Sequence, residues 1–68
     1  QSITITAAHH TIGQIIISNI LGKEVMNKSF ASNRAQLNLK NLASKGTYYA
    51  KVLDSNGNVI AIKKWIYH

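Results

Sequence analysis

Between Ser2 and Thr6 the chain reads SITIT, isoleucines alternating strictly with hydroxyl residues. A two-residue period places successive side chains on opposite faces of an extended strand, whereas an amphipathic helix needs apolar residues every three or four positions. No segment sustains the helical period. Instead, short runs of β-branched residues recur between clusters of turn-forming residues. Residues 14–19, QIIISN, put Ile15 and Ile17 on one parity that extends to Leu21, so Leu21 is expected to point inward at a reversal formed by Leu21-Gly22-Lys23. Residues 24–30 follow as a third strand. QLNL, residues 36–39, turns Leu37 and Leu39 inward. In residues 47–53, Tyr48, Ala50 and Val52 share one face and Tyr49, Lys51 and Leu53 the other. Asp54-Ser55-Asn56-Gly57 predicts a hairpin turn, because Asn-Gly accepts the positive φ angles of tight reversals. Residues 59–67 form the longest strand.

Six short strands between turn clusters predict an antiparallel sandwich or a small barrel. LKNLASKG, residues 39–46, could form two helical turns ended by Gly46, but a loop that plugs Leu42 into the core is preferred. Gly13, Gly22, Gly46 and Gly57 read as isolated turn residues.

At 68 residues the chain is one domain or part of one. A chain of this size buries only about 60% of its unfolded surface, so packing alone must hold a marginal core. With no cysteine, neither a disulfide nor a thiolate metal site can help. No run approaches the roughly 18 apolar residues that would span a bilayer as a helix. The sequence starts at Gln1 and has no signal peptide, which predicts a fragment of a longer precursor.

Seven lysines and Arg34 face only Glu24 and Asp54, for a formal charge of +6. Such an excess suits acidic partners. The cations are scattered singly, at Lys23, Lys28, Arg34, Lys40, Lys45 and Lys51, and only Lys63-Lys64 are adjacent. Scatter of this kind fits solvated edges and turns better than a nucleic-acid stripe.

Catalytic patterns are missing. The two carboxylates are far apart and lie on predicted turns, which gives a paired acid/base site little support. No serine sits in a nucleophile elbow, and no glycine-rich loop could cradle a phosphate. His9 and His10 are neighbours on an extended chain and point to opposite faces, so they cannot easily share an ion. Tyr48 and Tyr49 likewise cannot stack on one side, and Tyr48 follows the core parity. The residues therefore predict a non-enzymatic domain with no cofactor and no metal.

The succession ITI, IIISNILGKEV, LNLKNLASKGTYYAKV and DSNGNVIAIKKWIY resembles the type A C-terminal sorting domain of type IX secretion cargo, from Gram-negative bacteria of the Bacteroidetes group. The likeness runs from Ile3 to Ile66. It is carried by Leu21-Gly22 with Val25, then Leu42 before Gly46-Thr47-Tyr48, then Lys51-Val52, the Asn56-Gly57 turn, and Lys63-Lys64 with an aromatic and an aliphatic residue behind. Two features depart from the family pattern. The proline-containing stretch that usually precedes the first strand is absent, as expected if the sequence begins downstream of it. Tyr67 and His68 follow Ile66 where the family often ends on lysine.

The resemblance implies a small antiparallel immunoglobulin-like β-sandwich of about six to seven strands, one domain over residues 1–68, serving as an export address. It also implies a cargo domain fused upstream, passage through the periplasm and outer membrane to the cell surface or medium, and recognition by an outer-membrane translocon pore and a β-barrel shuttle protein. A sortase-like peptidase would then cut upstream of Gln1. The implied recognition residues are Lys63, Lys64, Trp65, Ile66, Tyr67 and His68. The motif positions Leu21, Gly22, Val25, Leu42, Gly46, Tyr48, Lys51, Val52, Asn56 and Gly57 are structural. On the last strand Lys63, Trp65 and Tyr67 share one face and Ile62, Lys64 and Ile66 the other, so one face offers a basic, apolar patch. Two other classes remain open: a surface carbohydrate-binding or adhesion module, which would need exposed aromatics on one face, and a basic nucleic-acid-binding barrel, whose affinity would fall steeply with salt.

Overall fold

A computed structural model describes residues 2–42 and 45–67. It contains six strands: β1 (Ser2–Thr6), β2 (Ile12–Asn19), β3 (Glu24–Ser32), β4 (Arg34–Asn38), β5 (Gly46–Asp54) and β6 (Val59–Tyr67). All pairings are antiparallel. β1 and β4 form a two-stranded ribbon, and the other strands form a four-stranded sheet in the order β3-β2-β5-β6. The architecture is therefore an all-β sandwich of two separate sheets, and the barrel alternative is excluded.

The core lies between the ribbon and the sheet. Ile12, Ile15 and Ile17 from β2 meet Ala35 and Leu37 from β4 and Tyr48, Ala50 and Val52 from β5, all buried. Burial of each such Ile or Leu contributes about 1.5–3 kcal/mol. Ile3 and Ile5 of β1 pack against this cluster from the side, opposite Leu37 and Ala35 in the ladder.

Two local devices set which residues reach that core. Strict alternation would send Ile12 and Ile15 to opposite faces, yet both have zero exposure. A bulge between Ile12 and Gln14 interrupts both of the ladders that β2 makes. One extra residue resets the parity, which brings both isoleucines inward. The residue in the bulge is Gly13, and a Cβ there would stand 2.5 Å from the Asp54 carbonyl oxygen. Gly13 is thus a strand residue placed by close backbone approach, and Gly46 opens β5 opposite Tyr67, so the turn reading is corrected for both.

The second device follows β4. A single 3-10 turn at Leu39–Asn41 opens with Asn38, whose side-chain oxygen accepts the Lys40 N–H at 2.9 Å. The change from period two to period three lets Leu39 and Leu42 join Leu37 on the buried side. Leu42 is plugged into the core as the sequence predicts. Ala43 and Ser44 of the same stretch lie outside the described residues.

Candidate recognition surface

Two hairpins frame the four-stranded sheet, and they are built alike. At Asn19–Lys23, the Asn19 N–H donates to the Lys23 carbonyl and the Gly22 N–H to the Asn19 carbonyl, each at 2.9 Å. The Asn19 side-chain oxygen accepts from the N–H groups of Leu21 and Lys23, both at 3.0 Å. At Asp54–Asn58 the same pattern recurs: Asp54 N–H to Asn58 carbonyl at 2.8 Å and Gly57 N–H to Asp54 carbonyl at 3.1 Å. Asp54 Oδ1 accepts from Asn56 and Asn58, both at 2.9 Å.

The left-handed conformation falls on Gly22 (φ 85°) and Gly57 (φ 86°), and no other described residue type has positive φ. Asn56 therefore does not share it, and each reversal is a type I turn closed by a glycine bulge. Asn19 and Asp54 as side-chain anchors escaped the sequence reading. The shared pattern of Asn or Asp three residues before glycine was the signal that could have found them.

The hairpin geometry also corrects Leu21. It is 89% exposed, and its neighbour Ile20 is 67% exposed. Parity extrapolated along a strand stops holding once the chain enters the turn, where the two central residues project into solvent.

β6 is an edge strand, paired with β5 on one side. The register sets Tyr48 opposite Trp65, Ala50 opposite Lys63, Tyr49 opposite Lys64 and Thr47 opposite Ile66. Because Tyr48 and Ala50 are core residues, Trp65 faces inward. Its ring stacks on Tyr48 with centroids 5.7 Å apart, and Tyr67 meets Tyr48 edge-on at 6.4 Å. Both are half-buried, so these rings pack the sandwich end instead of presenting free anchors.

The outward row is Ile62, Lys64 and Ile66, with the isoleucines 63% and 58% exposed. Lys63 is on the inner parity but exposed, beside a shallow groove of about 330 Å³ between β1 and β6 lined by Ile3, Ile5 and Trp65. His68, named by the sequence reading with this group, lies outside the described residues.

Polar chemistry is sparse. Among the described residues no polar or charged residue is buried, and no three His, Cys, Asp or Glu residues come together. His9 and His10 are exposed in the reversal after β1. Hydrogen bonds from the Asn58 backbone, and then from Asn56, hold the Asp54 carboxyl below its ordinary value, with a smaller contribution from the charge of His10. No helix among the described residues is long and apolar enough to cross a membrane.

A search of curated proteins gives no match. The family model described as the secretion system C-terminal sorting domain matches residues 1–68, and with a match over its whole length the chain belongs to that family, the C-terminal sorting signals of type IX secretion.

Proposed function

We propose that the export machinery reads this domain chiefly on the outward row of β6. The observation that carries the reading is the exposure of Ile62 and Ile66 on either side of Lys64 along an edge strand. Apolar side chains left in water on a strand with free backbone groups suit a partner that buries them and adds pairing along the edge. Lys63 and Lys64 supply attraction to an acidic surface. Trp65 and Tyr67 hold the strand in place from within, and the segment running on through His68 extends the same signal.

The partners in this reading are the outer-membrane translocon pore and a β-barrel shuttle protein, with a sortase-like peptidase acting later on the chain upstream. The destination is the cell surface or medium. The other motif positions serve the fold: Tyr48, Val52 and Leu42 in the core, and Gly22 and Gly57 in the hairpins. The domain performs no chemistry of its own. A carbohydrate-binding face finds no support, because Tyr48, Trp65 and Tyr67 pack on one another at the inner face and Tyr49 is the one aromatic of β5 and β6 on the outer face.

The test is a reporter fused ahead of the chain in a host with type IX machinery. Deleting residues 63–68 should abolish its export. Since that deletion also removes Trp65 and Tyr67 from the core, the surface variant I62S/K64E/I66S is needed beside it. Undiminished export of both variants rules out β6 as the recognised element.

A further inference from the structure

The two hairpins have the same hydrogen bonds but opposite surfaces. The central positions of one are Ser55 and Asn56, and those of the other are Ile20 and Leu21. The turn geometry therefore does not require an apolar pair, and at 67% and 89% exposure the pair gains little by burial. Two branched aliphatic side chains at a solvent-exposed tip call for another explanation.

Their position supplies it. In the ladders Asn19 lies opposite Tyr48, and Tyr48 lies opposite Trp65. The tip that follows Asn19 thus extends over the same end of the sheet as Ile66 and Tyr67, with only β5 between. Two strand spacings put the tip about 10 Å from the end of β6. The Ser55-Asn56 turn lies at the other end, since Ile12 pairs with Asp54. Lys23 in the turn, Lys45 just before β5 and Lys64 on β6 are exposed around the apolar end, where Glu24 is the one nearby acidic side chain among the described residues.

We propose that Ile20 and Leu21 are a second contact element, which together with Ile66 seats in an apolar cleft rimmed by carboxylates on the export machinery. The inference rests on the sorting role argued above and adds to it: recognition is composite, read from a turn and a strand end that only the fold brings together. An apolar pair ringed by lysines is complementary to such a cleft, and exposed aliphatic groups become interface anchors once a partner desolvates them.

The variant I20S/L21N copies the sister turn and so should fold as well as the parent, with an unchanged melting temperature. Export of the fused reporter should fall about fivefold or more, the scale of losing an interface anchor. L21M, which keeps an apolar group, should restore export to the parent level when paired with native Ile20. S55I, at the opposite end, should leave it unchanged. K23E/K45E should also lower export, and parent-level export of that pair would exclude the carboxylate rim. If I20S/L21N is exported normally while I62S/K64E/I66S is not, the composite site is wrong and the sorting reading stands. If both are exported normally, both readings fall. Concentration-dependent self-association of the purified fusion that disappears in I20S/L21N would assign the pair to a second copy and overturn the proposal.

Discussion

Tyr48 and Trp65 stack across β5 and β6, with ring centroids 5.7 Å apart and 29° between ring planes. The pair pins the strand that carries the candidate recognition row. Trp65→Ala should cost about 2–3 kcal/mol, somewhat below the range for a fully buried ring. In a domain this small that corresponds to a melting temperature lower by roughly 10 °C or more. The Trp65 Nε1–H is buried without an acceptor among the described residues. Trp65→Phe sheds that unsatisfied donor, which offsets part of the lost contact, and should cost no more than about 1 kcal/mol. Urea unfolding of the three proteins checks the order, and a phenylalanine variant as unstable as the alanine one would refute it.

Gly13 and Gly22 should fail for different reasons. A Cβ at Gly13 meets the backbone of Asp54 and Ser55 at 2.5–2.9 Å, which no rotamer change can relieve. Gly13→Ala should cost about 2–3 kcal/mol by forcing the β2 bulge away from the hairpin. Gly22 has open space around it but sits at φ +85°. Gly22→Ala should cost about 1–2 kcal/mol, and Gly22→Asn less, because asparagine visits the left-handed region more readily. Equal losses for Ala and Asn at Gly22 would argue against a conformational origin.

The sister hairpins also differ in pH response. Asp54 has its pKa lowered in the folded state by the Asn58 and Asn56 backbone donors, from an ordinary 3.8. A carboxyl with a depressed folded pKa adds stability that is complete above the unfolded value and is lost as pH falls through the folded one. Stability should therefore drop below pH 3.8 through this group. Asp54→Asn copies Asn19, keeps an acceptor for both N–H groups, and should remove that component of the acid loss. Denaturation midpoints at neutral pH and at pH 3 compare the two proteins, and identical pH slopes would disprove the assignment.

The alternation that exposes a strand in sequence also told which side of β5 is core, because Tyr48, Ala50 and Val52 keep one parity without interruption. It misled at the two places where the backbone leaves the regular pleat. Gly13 looks like punctuation in a linear reading, and only its approach to Asp54 identifies it as a bulge. Leu21 shares the parity of Ile15 and Ile17, but parity has no meaning past Asn19. On β6 the grouping of Trp65 with Tyr67 and of Ile62 with Ile66 was legible. Which group faces the core was not, since that depends on the register with Tyr48, a contact between distant parts of the chain.

The two sheets share no backbone ladder, so the β1-β4 ribbon is held to the larger sheet by apolar contact with Leu37, Leu39 and Leu42 at its centre. An isolated two-stranded ribbon is marginal in water, which suggests that it opens first. Burial argues the other way. Lifting the ribbon would wet Ile12, Ile15, Ile17, Ala50 and Val52 together, all at or near zero exposure. At about 1.5–3 kcal/mol for each large side chain, that loss matches or exceeds the roughly 3–10 kcal/mol of total stability available to a domain of this size. Ribbon opening and global unfolding should then be one event. Hydrogen exchange should give the slowest amides of β4 and β2 the same opening free energy, and Leu37→Ala should lower both by a common amount of about 2–4 kcal/mol. Amides of β4 that exchange far faster than those of β2, with β2 unaffected by the substitution, would show that the four-stranded sheet stands without its cover.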